Sequence, residues 1–356
     1  MHVGPHKAAS TYIQAFLSVH TDDLARYNVY WPYSVEENGT SVSTKGLSSF
    51  AHILISQQQD APEFLFMKNF FQDSLRKSRN IILSAEALDM LSTSSVDILK
   101  TMLQGFDVTI VYVYRELLSH MLSHYLALNK FEHDIKFSSS IATYLTTAMD
   151  YISGILKPLP VLAVYEGAFG KNNLKIIDLI GSENNQIDIA YVVVCEIMGV
   201  GCSDKVLFAP VKLSANHGHS LVTSEAFSYY NVYVEKHSLE SNAACRFCSN
   251  LLKAFKLFDA EYHKQRSAGT VLALPVLKSS LSMLIPYAEN MDAELRTKYG
   301  DNMIHGNRTA NLNYMRESIQ VEALDFEKFL TDIYWERWMQ KLYKEDLAKG
   351  SLCPCS

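Results

Sequence analysis

The sequence predicts an α/β fold: a central parallel sheet covered by helices, followed by a largely helical C-terminal half. Three stretches carry this prediction. "HVGPHKAASTYIQAFL" passes from a strand end into a helical pattern, and "NIILSAEALDML" and "FDVTIVYVYRELLSHMLSHY" repeat that step. Strands that alternate with helices and read as unbroken apolar runs belong to parallel sheets buried on both faces.

"HVG" reads as the end of a first strand. Residues 10–27 follow as a helix, with Ile13, Phe16, Leu17, Leu24 and Ala25 near helical spacing. "NVYWPYS" is a short β-like run stopped by Pro32. Residues 36–48, rich in Glu, Asn, Gly, Ser and Thr, read as a surface loop. Helical patterns then continue to about residue 78. Ile81 to Leu83 form a buried strand that turns directly into a helix. The next strand is Val108 to Tyr114, with a helix from near Glu116. "VLAVYE" is expected to be a further buried strand.

The chain changes character after about residue 200. "TSEAFSYYNVYVEKH", "SNAACRFCSNLLKAFKLFDAEYHKQ" and "DFEKFLTDIYWERWMQKLYKEDLAKG" read as helices, with Phe247, Leu251 and Phe255 at i, i+4 spacing. Nothing there resembles a flexible linker. The expected organisation is one domain over residues 1–356, with an α/β core in 1–200 and a mostly helical cover in 201–356.

The 356 residues are 48% hydrophobic, enough for one α/β domain with insertions. A formal net charge of −6 gives no global basic surface, so no nucleic-acid partner is expected. No apolar run reaches the roughly 18 residues of a membrane span, and the N-terminus lacks a signal-peptide pattern. "MHVG" would be only the tail of a strand, so upstream residues are expected to be missing. The compartment then stays open: cytoplasm for the sequence as it stands, Golgi lumen if an anchor precedes it. The sequons at Asn38 and Asn307 are too common by chance to decide this.

The cysteines fall in three pairs: Cys195 with Cys202, Cys245 with Cys248, and Cys353 with Cys355. "CRFC" has metal-ligand or redox spacing, and "CPC" could complete a four-sulfur set. "AACRFCSNLLKAF" also reads as a helix, where two half-buried thiols on one face explain the spacing at least as well. A disulfide is a further reading.

The opening loop carries the first functional signal. A helix's first turn offers unpaired N–H groups and a positive dipole end, which attract an anion. Gly4 permits the turn, Lys7 adds a full charge, and Ser10 and Thr11 add hydroxyl donors. The loop is not a Walker A motif. His6, not glycine, precedes Lys7, and Ala8 stands where a Mg²⁺-binding hydroxyl would follow it. A metal-free anion fits better. The second signal is Arg115, just past a buried strand, with Ser123 eight residues later, about two helical turns on. An arginine fork and a serine hydroxyl can then converge on one phosphate. The loop alone reads equally well as a capped helix with an exposed lysine, and Arg115 and Ser123, each alone, read better as a surface arginine and a helix serine.

Together these stretches resemble the sulfotransferases that use 3′-phosphoadenosine 5′-phosphosulfate (PAPS). "HVGPHKAAST" is similar to the family's 5′-phosphosulfate loop, and "VYVYRELLSHMLSHY" to its 3′-phosphate element. "LARYNVYWP" resembles its second strand. "IILSAE" resembles the strand that carries a catalytic Glu in the carbohydrate-type and bacterial branches, and "VLAVYEGAF" a later strand ending in Tyr-Glu. The resemblance covers about residues 1–180 in the family's order. It departs at Ala8 and Ala9, where the family has Thr or Ser and then Gly, and no counterpart of the late loop over the 3′-phosphate is found.

The resemblance implies a P-loop-like three-layer fold and in-line sulfuryl transfer from PAPS to an acceptor hydroxyl, leaving 3′-phosphoadenosine 5′-phosphate (PAP), with no metal. It implies that Lys7 stabilises the leaving phosphate, and that Gly4, His6, Ala8, Ala9, Ser10 and Thr11 line the 5′ side. Arg115 and Ser123 would hold the 3′-phosphate. Glu86 is the first candidate for general base, with His6 and His120 next. The acceptor would be a small molecule or glycan, met on the side of residues 201–356. Two other readings stand beside it: a P-loop kinase-like nucleotide enzyme, and a catalytically degenerate PAP- or PAPS-binding module.

Overall fold

The computed structural model describes residues 1–32, 34–35, 42–43, 45–131, 157–200, 246–247, 276–280, 282–318, 320–324, 336–337, 339–341, 344 and 352–353. The protein is a mixed α/β structure whose central strands run parallel. Two compact units divide it: Met1–His120 with Tyr151–Asn216 and Ile285–Met315, and Met121–Asp150 with His217–Leu284 and Arg316–Ser356.

In chain order the first unit begins with α1 (Ser10–Val19), α2 (Thr21–Arg26) and β1 (Val29–Tyr30). The short antiparallel pair β2 (Ser34–Val35) and β3 (Val42–Ser43) comes next, then α3 (Lys45–Ser56), α4 (Pro62–Arg76) and β4 (Asn80–Ile81). A 3₁₀ turn, Glu86–Met90, leads to α5 (Thr93–Met102), β5 (Ile110–Tyr114) and α6 (Leu117–Phe131), which continues into the second unit. After residues 132–156 come α7 (Pro158–Phe169), β6 (Leu174–Asp178) and α8 (Leu179–Asn184).

Parallel ladders connect the strands. β1 pairs with β4 in the register Val29 to Asn80 and Tyr30 to Ile81. Beyond β4 the chain stays extended, and His2 bridges both Ser84 and Val111. The His2 amide donates to the Leu83 carbonyl at 2.7 Å, and the Val3 amide to the Val111 carbonyl at 2.9 Å. The N-terminal segment therefore lies between the strand of residues 80–84 and β5. β5 pairs with β6 along its whole length, and β6 with Met303–Ile304. That last strand, drawn from the C-terminal half, has no counterpart in the sequence reading. Every residue of β5 is buried, as an unbroken apolar run in a parallel sheet requires.

The sheet's carboxyl edge is tied down by a charged network. Asp178, fully buried at the end of β6, accepts from the Gly181 amide, the Arg296 guanidinium at 2.9 Å, the Asn307 amide and the Asn311 side chain. Arg296 Nε also donates to both oxygens of Asp292, which accepts from the Tyr114 hydroxyl at the end of β5 and lies 3.7 Å from Arg308 Nε. Two buried carboxylates thus share one guanidinium, which keeps neither charge unpaired. Asn307 caps the helix Arg308–Ser318 by accepting from the Ala310 amide, so this sequon asparagine has a local structural task.

Several expectations are corrected. "VLAVYE" is helical, within α7, and the next strand is Leu174–Asp178. Its apolar run carries no period that separates strand from helix. Pro158 opens the segment and Gly170, at φ 86, closes it; that length and punctuation are helical. The resemblance of "VLAVYEGAF" to a family strand falls with it. The helix over 10–27 is two helices, parted at His20. The loop over 36–48 contains β3 and the start of α3. In "CRFC", Arg246–Phe247 is extended and pairs antiparallel with Leu352–Cys353. Val276–Ser280 and Gln320–Leu324 form a longer antiparallel pair in the second unit. The other helices expected after residue 200 fall largely outside the described residues. Cys195 is disulfide-bonded.

Candidate functional site

The sequence-predicted loop leaves the carboxyl end of the central N-terminal segment. Gly4 sits at φ +72, and a Cβ there would lie 2.7 Å from the Glu86 carbonyl oxygen and 3.1 Å from Asp89 Cβ. Only glycine fits this turn. Lys7 (φ 65) and Ala9 (φ 62) are also left-handed, at about 1 kcal/mol or more each for residues with a Cβ. Ala9 is the N-cap of α1 and offers no side-chain cap. The first-turn amides of α1 therefore have no capping oxygen from the residue that normally supplies one. That is a ready anion site, and Lys7 stands two residues before it.

The two loop hydroxyls differ. Ser10 is buried and its Oγ donates to the Pro5 carbonyl at 3.1 Å, bracing the loop from within. Thr11 is exposed at the start of α1. Ala8 is fully buried, so its methyl is part of the packing beneath the loop.

On one side of the loop stands the Ser84–Met90 stretch. His6 Nδ1 and Glu86 Oε2 are 2.6 Å apart. Burial works against the Glu86 carboxylate, but the bond from His6 and the charges of His6, Lys7 and His2 outweigh it and hold its pKa below the usual value. The same bond raises the His6 pKa against an opposing effect of burial. Asp89, one 3₁₀ turn on, is 8% exposed, and neither carboxylate oxygen has a hydrogen-bond partner of ordinary geometry among the described residues. Burial pushes its pKa up to about 7, with the His6 charge and the amides of His6 and Asp89 pulling the other way. Below, His2 Nδ1 and Ser84 Oγ are 2.9 Å apart. Burial lowers the Lys7 ammonium pKa; Glu86 opposes this and Arg115 adds to it.

On the other side stands the end of β5. Arg115 donates from Nη1 to the Lys7 carbonyl at 2.8 Å and from Nε to Ser119 Oγ at 3.0 Å. The buried Glu116 carboxylate accepts from the Leu118 and Ser119 amides, capping α6. Burial raises its pKa to about 7 against those two bonds. His120 Nε2 lies 2.6 Å from the His6 carbonyl. Lys7, Arg115, Glu86, His6 and His120 are thus brought together around one loop. Ser123 lies two turns along α6 from Arg115, in the second unit.

Sequence reasoning missed two participants and one pairing. Ser119 lies four residues after Arg115, a spacing at which helix side chains meet. Asp89 follows Glu86 by three, which also signals one face. The pairing of His6 with Glu86 spans eighty residues of chain and has no local signal. Two cavities, of about 210 Å³ and about 550 Å³, open elsewhere, against residues 103–109 at the amino end of β5. Ligands of open α/β sheets bind beyond the carboxyl ends, so the loop remains the candidate. Among the described residues no cluster of His, Cys, Asp and Glu could hold a metal ion, and no helix is long and apolar enough to cross a membrane. Comparison with known proteins gives no match to this chain among protein-family models, curated proteins or solved structures.

Proposed function

We propose that the protein is a PAPS-dependent sulfotransferase with a P-loop-like fold, acting on an acceptor hydroxyl, with a carbohydrate as the first choice. The observation that carries this reading is the Arg115–Lys7 link: the guanidinium at the end of β5 grips the carbonyl of the loop lysine. One element thereby joins the expected 3′-phosphate arginine to the expected 5′-phosphate loop. The strand order supports the fold assignment. Across the sheet the segments run 29–30, 80–84, 1–4, 110–114, 174–178 and 303–304, all parallel. The central segment precedes both of its neighbours in sequence, which suits a P-loop-like sheet.

The chemistry asked of these residues is positioning and charge stabilisation. The α1 amides and Lys7 face charge that develops on the departing 5′-phosphate. Arg115, with Ser119 behind it, serves the 3′-phosphate. Glu86 supplies the carboxylate on the acceptor side. Ala8 argues against an ATP-dependent kinase-like reading, because a buried methyl stands where that loop type needs a metal-binding hydroxyl.

The test is a thermal-shift comparison of PAP, ATP with Mg²⁺ and no ligand, followed by labelled-sulfate transfer to glycans, phenols and small alcohols. A ligand specific for the folded state raises the melting temperature by mass action. PAP should do so and ATP should not. Lys7→Ala should cut transfer by about 10²-fold or more, the scale of losing one transition-state donor. Stabilisation by ATP with Mg²⁺ alone would favour the kinase-like reading. PAP binding without transfer to any acceptor class would favour a degenerate binding module.

A further inference from the structure

We propose that His6 is the group that takes the acceptor's proton and that Glu86 positions it; this rests on the sulfuryl-transfer reading above. The two side chains meet at 2.6 Å through His6 Nδ1 and Glu86 Oε2. The imidazole is the more open of the pair, with side-chain exposures of 41% for His6 and 26% for Glu86. No described residue hydrogen-bonds His6 Nε2. A carboxylate that accepts from Nδ1–H fixes the tautomer in which Nε2 carries the lone pair. The outward-facing proton acceptor of the pair is then a nitrogen of His6, with Glu86 behind it.

The backbone holds this ring from the other end. His120 Nε2 contacts the His6 carbonyl, and Gly4 sets the turn where Glu86 and Asp89 come close. The sheet order adds a sense of direction. The loop lies between the strand ends that carry Glu86 and Arg115. His6 turns to the Glu86 side, whereas the Lys7 carbonyl is held from the Arg115 side. A donor anchored at Arg115 leaves the Glu86 side for the acceptor, which is the division an in-line transfer needs.

In the step, the acceptor oxygen forms a bond to sulfur as the bond from sulfur to the 5′-phosphate oxygen breaks. The electron pair of the broken bond stays on PAP, facing Lys7. The acceptor's O–H proton passes to His6 Nε2, and the imidazolium is balanced by Glu86. Solvent takes that proton from the exposed edge of the ring after the products leave.

The titratable and charged groups that face His6 are Glu86 and Asp89 on the 3₁₀ turn, Lys7 beside it in the loop, and His120 from α6 at its carbonyl. The bond to Glu86 is the largest influence on His6, burial opposes it, and the two carboxylate charges outweigh that of Lys7, so the His6 pKa lies above 6.5.

The experiment uses the full chain, PAP binding by calorimetry, and the pH dependence of kcat with the best acceptor of the panel. The wild-type rate should rise with pH to a midpoint above 6.5. His6→Gln should lower kcat by about 10²-fold or more, a larger loss than any weakening of PAP binding, and should remove that midpoint. Glu86→Gln should shift the midpoint down, and Glu86→Asp should restore part of the shift. A ring-nitrogen titration by NMR should give the same direction for His6 in Glu86→Gln. A wild-type kcat in His6→Gln, or an acid limb in the carboxylate range that survives in His6→Gln, overturns the base assignment while PAP binding stands. A wild-type chain that neither binds PAP nor transfers sulfate overturns the sulfuryl-transfer reading and the assignment with it.

Discussion

Asp89→Asn should make the protein markedly more resistant to unfolding at pH 8, and less so at pH 5, where only the first part of the titration window has been crossed. Asp89 is 8% exposed beneath Gly4, with no ordinary hydrogen bond to either oxygen among the described residues. Its folded-state pKa is raised by burial from 3.8 to about 7. Between those values the folded protein keeps a proton that the unfolded chain has released. Stability therefore falls as pH rises through that window and stays low above it. The gap of about three pH units, at about 1.4 kcal/mol each, sets a ceiling of about 4 kcal/mol on this loss. Asparagine has the same shape and cannot ionise, so it shares the uncharged form's packing at both ends of the window. Urea unfolding midpoints at pH 5, 6, 7 and 8, followed by fluorescence, read the difference directly. The variant's curve should separate from the wild type's as pH rises, by about 2–4 kcal/mol at pH 8. Parallel curves for the two proteins over the whole range would refute the burial argument.

Ala9→Gly should raise stability by roughly 0.5–1 kcal/mol, because relief of the left-handed strain exceeds the entropy that glycine adds to the unfolded chain; a lowered melting temperature would count against the φ of 62 at that position. Arg115→Lys should weaken PAP binding by about tenfold, since one ammonium cannot reproduce a fork that spans the Lys7 carbonyl and Ser119; calorimetry checks it, and an unchanged Kd would remove the arginine from the donor site. Arg296→Met should cost about 3–5 kcal/mol, because it strips the buried Asp178 of its cation and leaves Asp292 only the longer contact to Arg308; a denaturation midpoint equal to the wild type's would contradict the network.

The parallel core was readable because its strands are apolar on both faces and end in abrupt turns. "IVYVYRE" and "IILSAE" carry both signals, and the β5 strand and the extended segment before the Glu86 turn follow from them. "VLAVYE" misled because an apolar helix lining a core has no polar face to set a period. Leu174–Asp178 went unread because Lys175 interrupts a run of only five residues. Met303–Ile304 is two residues long and is a strand only through its partner β6, which no local pattern records. The site divides in the same way. Gly4, Lys7 and Arg115 are visible because turn, charge and strand end are local. The contact of His6 with Glu86 and the burial of Asp89 are products of the sheet order, which brings residues 1–4 and 80–84 side by side.

That same placement of the first segment governs how the chain can assemble during synthesis. Met1–Gly4 lies in the middle of the sheet but is made before both of its neighbours, residues 80–84 and 110–114. At about 5–20 residues per second, on the order of ten seconds pass before those neighbours emerge. Until then the loop has neither the Glu86 carbonyl against Gly4 nor the Arg115 guanidinium on Lys7. Anion affinity should therefore appear late and abruptly as the nascent chain lengthens past the Arg115 helix, rather than growing with the loop that carries the charge.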